Sequence, residues 1–344
     1  MAQGIRYPVA EPPPEGCAAE VAPGVLWMRL PLPMALDHVN IFALDEGDSW
    51  TVIDTGFDSK RSRVIWQRLL TGPLAGKPVA RVVVTHHHPD HIGLAGWLQM
   101  QGAELLTTRT AWLYARMLTL DVQATPLPQQ MDFWRAAGMP ADLLAQRLAE
   151  RPFNFSDVVA PLPLGFTRLQ EAGEIVMGGR RWTIRIGNGH APEHATFWSQ
   201  DDNLVLGGDQ LLPSISANIG VYPTEPDADP LAEWLESCAA FQPLARADHL
   251  VLPGHKLPFT GLPLRLHQMV ENHIGALDRL RKHLATPHTA AQCFMPVFKR
   301  DIIGPAYGLA LVEAMAHLNH LLHRGEVSRT MGADGAWQWV MMHG

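Results

Sequence analysis

The sequence predicts an α/β fold with one large domain and a small, mainly helical C-terminal domain. Short runs of β-branched and apolar residues, separated by Gly, Asp and Pro, are typical of strands over about the first 260 residues. The strand-like runs 49–56 and 79–84 flank a segment with helical apolar spacing, which favours a strand–helix–strand unit. From about Leu264 the spacing is helical through most of the remaining chain.

The composition is that of a folded chain rather than a disordered or membrane-embedded one. The 344 residues are 47% hydrophobic and 18% charged, and the net charge of −7 argues against nucleic acid or an anionic membrane as partner. Three scattered cysteines, Cys17, Cys238 and Cys293, do not suggest a disulfide framework. Because no apolar signal segment or membrane span is evident either, we expect a cytoplasmic protein.

The first part of the chain is expected to be a proline-rich leader, residues 1–24, followed by the large domain, residues 25–262. The large domain opens with short strand-like runs, a helix and a buried strand. In order, these are 25–34, 38–46, 49–56, Lys60–Leu70 and Val79–Val84.

A helical insertion is predicted at about residues 108–165. Three amphipathic stretches there are joined by turns that contain proline. The insertion is rich in aromatic residues and Met, which either line an apolar substrate pocket or pack against the sheet. Its candidate substrate-binding residues are Trp112, Tyr114, Phe133 and Trp134.

Strand-like runs resume after the insertion, and polar residues follow several of them. His190, Asp209 and His255 each come at the end of such a run, and a helix is predicted at Pro230–Phe241. Open α/β sheets usually carry their chemistry at the carboxyl ends of strands. These three residues therefore occupy positions where such sheets carry functional groups.

Residues 263–344 contain three helical stretches and a possible hairpin, which predicts a winged-helix-like C-terminal domain. The apolar residues of the stretch GLALVEAMAHLNHLL suit a dimer interface or an element that closes a pocket. A homodimer is therefore among the expected states.

The segment that follows the predicted strand Val79–Val84 holds the densest set of metal-binding groups. His86, His88, Asp90 and His91 lie within six residues, and alternate positions can face one ion while the Asp and the last His face a second. A metal site is favoured over a solvated histidine-rich turn, because the segment directly follows a buried strand. His87 breaks the alternation and is predicted to have a structural or outer role.

This segment matches the HxHxDH motif of the metallo-β-lactamase superfamily, which the chain resembles over about residues 25–260. The resemblance extends to GHAPEH, GGDQ and LPGH, which contain His190, Asp209 and His255. It implies an αββα sandwich with two metal ions. His86, His88 and His190 would bind one ion, Asp90, His91 and His255 the other, and Asp209 would bridge them. No Cys replaces Asp209, so the chain is more similar to the glyoxalase II, lactonase and ribonuclease-like branches, and its tail to the winged-helix extension of some members.

The resemblance implies a metal-dependent hydrolase in which a hydroxide that bridges the two ions attacks the substrate, with Asp90 and Asp209 as catalytic residues. Two Zn²⁺ are expected, with iron or manganese as alternatives. The favoured substrate is a small molecule with a carboxylic ester-type bond, in a thioester, lactone or ester, and the insertion suggests an apolar acyl part.

The alternative function is a phosphodiesterase or ribonuclease that uses the same two ions. From Arg265 onward the chain has eight basic and six acidic residues, a weaker positive charge than a surface that tracks phosphates normally carries. Nucleic acid is therefore not the expected substrate.

Four further residues receive an interpretation. Asp54 has two predicted roles that do not exclude each other. It orients a metal-binding histidine through a hydrogen bond, or it stabilises the turn before Gly56. His194 is predicted to lie just outside the ligands and support them. Tyr222 either donates a hydrogen bond to a substrate oxygen or packs, and His249 is expected to be a core histidine.

Overall fold

The computed structural model describes residues 4–342, and the chain divides into two compact units. Unit 1 comprises Met1–Val122, Asn154–Ala217 and Gln242–Leu266. Unit 2 comprises Gln123–Phe153, Asn218–Phe241 and His267–Gly344. The two units therefore alternate along the sequence.

The first sheet of unit 1 has seven strands in sequence order. The first four strands pair antiparallel, and the fourth to seventh pair parallel. The strands are β1 (Ala19–Ala22), β2 (Val25–Pro31), β3 (His38–Asp45), β4 (Trp50–Ile53), β5 (Val79–Val83), β6 (Glu104–Thr107) and β7 (Thr167–Arg168).

Helices α1 (Lys60–Thr71), α2 (Pro89–Ile92), α3 (Ala95–Gln99) and α4 (Arg109–Leu120) occur between these strands. Helix α1 shows how the sequence fixes one of them. The side chain of Ser59 accepts a hydrogen bond from the backbone N–H of Ser62 and so caps the first turn. Ile65, Trp66 and Leu69 then bury one face at helical spacing, and the helix ends at Gly72.

The second sheet of unit 1 has five strands in the order β12-β11-β10-β9-β8. Its pairs are antiparallel except β11 with β12, which is parallel. The strands are β8 (Glu174–Met177), β9 (Arg180–Gly187), β10 (His194–Ser199), β11 (Leu204–Gly208) and β12 (Leu250–Pro253).

The core of unit 1 forms two layers. One cluster joins residues of both sheets, such as Trp27 and Phe42 with Trp182 and Phe197, and lies between the sheets. The other joins residues of β2 to β5 with residues of α1 and α3, on the opposite face of the first sheet. A helix–sheet–sheet arrangement follows, and the α/β prediction is confirmed.

The remaining helices are α5 (Pro128–Ala136), α6 (Ala141–Ala149), α7 (Pro230–Phe241), α8 (Leu262–His283), α9 (Phe294–Phe298) and α10 (Tyr307–His323). A hairpin of the strands β13 (Val327–Met331) and β14 (Trp337–Met341) follows them. In unit 2, α10 contacts α7, α9 and β13. Residues from Ala310 to Leu321 of α10 are buried, apart from Glu313, and most of them are apolar. Its apolar side chains supply much of the core of this unit.

The predicted strands and helices agree closely with the observed ones, with a few differences. Strand β1 lies inside the predicted leader, and β6 has no counterpart among the predicted strands. The C-terminal helices and hairpin are present, while their likeness to a winged helix stays a prediction. The predicted domain boundaries, 25–262 and 263–344, also stay a prediction. The two compact units divide the chain differently, because the segments 123–153 and 218–241 belong to the same unit as the C-terminal segment 267–344.

Within residues 4–342, no helix combines the length and apolarity needed to cross a membrane.

Candidate metal centre

The seven predicted metal-binding residues all lie in unit 1, close to the carboxyl ends of strands. His86 and His88 lie in the turn after β5, and Asp90 and His91 belong to the following short helix α2. The others come after β9, β11 and β12; they are His190, Asp209 and His255. A backbone hydrogen bond of 2.8 Å from Ala195 N–H to the Thr85 carbonyl joins the two sheets beside this turn.

The folded chain brings these side chains together in three overlapping groups. In each group one potential ligand atom per residue lies within 4.8 Å of the others. The groups are His86 with His88 and His190, Asp90 with His91 and His255, and His86 with His91 and Asp209. The first two match the two sets of three ligands that the resemblance implied.

Asp209 contacts members of both sets. Its Oδ2 lies 3.5 Å from His190 Nε2 and 3.2 Å from His255 Nε2, while its Oδ1 lies 3.4 Å from His91 Nε2. The carboxylate therefore lies between the two sets of nitrogen atoms, where a bridging ligand would be.

Hydrogen bonds on the outer ring nitrogens fix the tautomers of two histidines. His91 Nδ1 lies 2.7 Å from Asp54 Oδ2, and His255 Nδ1 lies 2.7 Å from the His38 carbonyl. Since each neighbour is an acceptor, each Nδ1 carries a proton and donates it, and Nε2 is the ring nitrogen that faces the centre. Neutral imidazole with a free lone pair is the form that binds a metal ion.

His86 is oriented in the same way through Thr85. The Thr85 hydroxyl donates to Asp54 Oδ2 at 2.9 Å and lies 3.0 Å from His86 Nδ1. Because that hydroxyl proton is already used, the oxygen accepts from His86 Nδ1, and His86 Nε2 faces inward, 3.0 Å from His88 Nδ1.

The charges of the cluster are strongly coupled. Burial lowers the pKa of His86 and of His88 well below the ordinary value, and neighbouring histidines add to this effect. Burial also opposes the charged forms of His91 and Asp209. Even so, the carboxylates of Asp209, Asp90 and Asp54 raise the pKa of His91 well above its usual range. The imidazoles of His255 and His91 in turn hold the pKa of Asp209 well below its usual range. These carboxylates thus favour a proton on His91 Nε2, and a bound cation would replace that proton and return the ring to the neutral form that binds metal.

The donor set fits divalent metal ions. The buried atoms His91 Nε2 and Asp209 Oδ1 have no hydrogen-bond partner among the described residues. Orphaned buried polar atoms are costly in a folded protein, and a bound cation would satisfy both of them. Imidazole nitrogen and carboxylate oxygen are suitable ligands for Zn²⁺ and for several related transition metals.

The backbone around Asp209 comes unusually close to the centre. A Cβ atom on Gly254 would lie 2.2 Å from Asp209 Oδ1 and 2.9 Å from His91 Cε1. A Cβ on Gly208, whose φ is +48°, would lie 2.5 Å from His194 Cε1. Glycine is therefore required at both positions for the side chains to meet.

The structure also shows supporting residues that sequence reasoning missed. Asn40 donates through its side-chain amide to the carbonyls of Pro253 and Lys256, and its backbone N–H donates to the Gly254 carbonyl. His38 Nε2 accepts from the backbone N–H of Lys256. Together they fix the loop that carries His255. They lie more than two hundred positions before that loop, and the sequence offers no local signal for the pairing.

His194 and His87 lie beside the cluster. His194 accepts a hydrogen bond at its Nε2 from the backbone N–H of Asp209, and its ring stacks on that of His86 at 4.5 Å. Burial lowers the pKa of His194 and that of His87 to about 3. The ring of His87 faces Tyr114 at 5.2 Å and Phe155 at 6.4 Å. Neither ring belongs to the three groups.

The other singled-out residues are distributed over both units. Trp112 stacks on Phe166 at 5.0 Å in unit 1. His249 is buried, with its ring 5.4 Å from that of Trp198. In unit 2, Phe133 is buried on α5, the neighbouring Trp134 is half-buried under the guanidinium of Arg147, and Tyr222 is 44% exposed. The substrate-binding roles of these aromatic residues stay predictions.

Asp54 gives the first testable prediction. Its Oδ1 accepts from Thr85 N–H at 2.8 Å, and its Oδ2 contacts His91 Nδ1. We expect Asp54→Asn to weaken metal binding by roughly 10- to 100-fold, because an amide can present a donor to His91 and favour the wrong tautomer. Titration against a competing chelator measures this affinity. Asp58→Asn is the matched control, since Asp58 pairs with Arg63 and not with the cluster; equal affinity of both variants would contradict the prediction.

The comparisons with known proteins agree with this geometry. The profile of the Metallo-beta-lactamase superfamily matches residues 34–255, and that of the Metallo-beta-lactamase-like C-terminal domain matches residues 277–342. The probable metallo-hydrolase YqjP of Bacillus subtilis is 26% identical over 309 residues, which cover 86% of this chain and 92% of that protein.

Solved structures show the same fold along nearly the whole chain. A beta-lactamase domain protein from Burkholderia ambifaria is 35% identical, with a TM-score of 0.90 and 98% of each chain covered. A metallo-beta-lactamase family protein from Thermus thermophilus is 23% identical, with a TM-score of 0.78, and the match covers 94% of this chain and 100% of that one. The predicted sandwich fold is confirmed. This chain therefore belongs to the metallo-β-lactamase superfamily and is a metallo-hydrolase with a His/Asp cluster able to bind metal.

Proposed function

We propose that the chain hydrolyses a carboxylic ester-type bond, in a thioester, lactone or ester, with two divalent metal ions held by the His/Asp cluster. The observation that carries the proposal is the position of Asp209, whose two oxygens face Nε2 atoms from both sets of ligands. His86, His88 and His190 would hold one ion, and Asp90, His91 and His255 the other. Zn²⁺ is the proposed metal, with iron or manganese as alternatives.

When bound, such ions supply Lewis acidity and lower the pKa of a bound water to about 7. The protein contributes the orientation of the ligands. Asp54, Thr85 and the His38 carbonyl hold three imidazoles with their Nε2 atoms directed inward. Asp90 and Asp209 supply negative charge; Asp90 Oδ2 lies 3.4 Å from His255 Nε2 and 3.6 Å from His91 Nε2. We propose that these two carboxylates take part directly in catalysis.

The surroundings of His88 support an apolar substrate part. The ring of His88 lies 4.7 Å from that of His87, which in turn contacts Tyr114 and Phe155. Helix α4, which carries Tyr114, also exposes Leu113 and Met117. Apolar and aromatic side chains next to a polar reaction centre are typical of pockets for small molecules. Trp112, on the same helix α4, is proposed as a further substrate contact.

The proposed partner is thus a small molecule rather than nucleic acid or a membrane, and a homodimer remains part of the proposal. The cysteines support a reducing compartment, and we propose the cytoplasm. Within residues 4–342 no disulfide bond joins any of the three, and Cys17 is exposed.

A substrate panel tests the proposed function. Metal content of the purified protein is measured by mass spectrometry, and hydrolysis is assayed on thioesters, lactones and esters of increasing acyl length and on a bis-phosphodiester. We expect metal-dependent cleavage of a carbonyl substrate, with kcat/KM rising up to about fourfold per buried methylene. Asp209→Ala serves as the inactive control. Cleavage of the phosphodiester alone would replace the proposal by the phosphodiesterase alternative, and a metal-free, inactive protein would overturn both.

A further inference from the structure

A second cluster of metal-binding side chains lies in unit 2 and shares no residue with the first. It consists of His273 on α8 and of Glu313 and His317 on α10. One potential ligand atom from each of the three lies within 4.8 Å of the others. Glu313 and His317 are four positions apart, a spacing that puts both side chains on one face of a helix.

The two imidazoles face each other at a distance suited to shared coordination. His273 Nδ1 lies 3.2 Å from His317 Nε2. Nitrogen ligands of a tetrahedral Zn²⁺ with bonds of 2.0–2.1 Å are about 3.3 Å apart. His317 Nδ1 donates to the Glu313 carbonyl at 2.8 Å, so the neutral ring carries its lone pair on Nε2, toward His273.

A hydrogen bond between the two rings leaves one polar atom unsatisfied. If His273 Nδ1 donates to His317 Nε2, then His273 Nε2 must accept, yet this atom is buried and has no hydrogen-bond partner among the described residues. Both imidazoles are 1% exposed. A metal ion bound by His273 Nδ1 and His317 Nε2 would take up the two lone pairs that face each other and would place the proton of His273 on Nε2. His273 Nε2 lacks a partner among the described residues in either case, so support for the ion comes from the two facing nitrogen atoms.

Glu313 completes the set with a carboxylate. Its Oε2 accepts from the side-chain amide of Asn218 at 2.7 Å, which fixes the orientation of the group. Hydrogen bonds of this kind on a ligating carboxylate are common around metal sites. Two imidazoles and one carboxylate form the ligand set of many zinc proteins that keep a further position open.

The cluster borders a cavity of about 230 Å³, which gives an ion a path from solvent and room for water. Arg279, Lys299 and Arg300 line the same cavity. The Arg279 guanidinium donates hydrogen bonds to the carbonyls of Pro296 and Val297. The basic side chains would attract an anion to the open position of a bound cation.

We propose that His273, Glu313 and His317 bind a divalent transition-metal ion of the Zn²⁺ class, with the remaining coordination position open to this cavity. The ion links α8 to α10, whose two histidines are 44 positions apart in the sequence. Because the ion would bind only to the folded chain and not to the unfolded one, it would stabilise unit 2 by mass action. The site would exist whichever substrate the first centre hydrolyses.

Metal titration of the full-length protein tests the proposal. The first centre is disabled by combining His86→Ala, His91→Ala and Asp209→Ala, which removes one ligand from each of its two sets and the carboxylate between them. The metal-stripped protein is then titrated with Zn²⁺ alone. We expect this variant to retain about one equivalent of Zn²⁺ per chain, and the further change His317→Ala to remove it. Zn²⁺ should raise the Tm of the first variant and leave that of the second unchanged.

Three further variants separate loss of binding from loss of fold. His267 on α8 and His323 on α10 lie outside the cluster and are not buried, so His267→Ala and His323→Ala should keep the bound equivalent. Glu313→Gln preserves the volume of the side chain and should remain folded by circular dichroism, while its Zn²⁺ affinity falls at least about 10-fold. A disabled first centre with no remaining bound Zn²⁺, or an unchanged affinity in folded Glu313→Gln, would overturn the proposal.

Discussion

Asp209→Asn is expected to reduce kcat/KM by about a thousandfold or more, equivalent to about 4 kcal/mol of transition-state stabilisation. The Asp209 carboxylate is the group that contacts both sets of candidate ligands. Its amide keeps the shape but removes the negative charge and places a donor among nitrogen lone pairs. We therefore expect bound metal to fall together with activity.

The measurement combines steady-state kinetics with metal analysis of the same sample. Asp248→Asn is a suitable control, because Asp248 pairs with Arg246 at the surface and its side chain is 68% exposed. Circular dichroism establishes that both variants are folded. If Asp209→Asn kept its full metal content and activity, Asp209 would not be a bridging ligand, and the assignment of the centre would need revision.

Gly254→Ala is expected to lower activity by at least about a hundredfold while the protein remains folded. The new Cβ would lie 2.2 Å from Asp209 Oδ1, 2.9 Å from His91 Cε1 and 3.2 Å from the Gly208 carbonyl carbon. Contacts this short cannot persist, so Asp209 and the loop before His255 must shift. Overpacking of this kind costs about 1–3 kcal/mol of stability, and a displacement of ligands by about 1 Å is enough to impair catalysis strongly.

Gly308→Ala is the matched control for this substitution. Gly308 lies in α10, and the nearest atom to a Cβ there is the flexible end of Arg147 at 3.7 Å. Alanine in a helix is favoured over glycine by about 1 kcal/mol, so a small gain in the free energy of unfolding is expected. Kinetics and chemical denaturation of both variants give the comparison. Equal activity of Gly254→Ala and the wild type would show that the close approach is not needed.

Sequence reasoning recovered the local features of the fold well. The helix predicted at Lys60–Leu70 is observed at Lys60–Thr71, and the one predicted at Pro230–Phe241 has those bounds. Such segments carry their own periodicity and end at Gly or Pro, so their signal lies within about ten residues. Strand β1, Ala19–Ala22, was missed because it is an edge strand with partly exposed residues and little apolar pattern.

The candidate centre was predicted from motifs, and its supports were not. The residues His86 to His91 are adjacent in sequence, and the other three positions were located through short matches to a family pattern. Asn40 and His38 act through backbone carbonyls and N–H groups of the loop Pro253–Lys256. Because any loop offers the same carbonyls and N–H groups, no side-chain pattern in the sequence reveals such contacts.

The second cluster escaped prediction for a related reason. Glu313 and His317 share a helix face, a common spacing with little specificity by itself. Only the folded chain brings His273 within reach and leaves its Nε2 buried without a partner among the described residues.

The alternation of the two units along the chain has a consequence for how the protein is synthesised. Residues 123–153 and 218–241 leave the ribosome before His267–Gly344, with which they form unit 2. Until that last segment is made, their apolar faces lack their final partners, whereas every segment of unit 1 is already present by Leu266. Unit 1 can thus assemble first. A chain that ended at Leu266 would contain all segments of unit 1, together with two segments of unit 2 that lack their final partners.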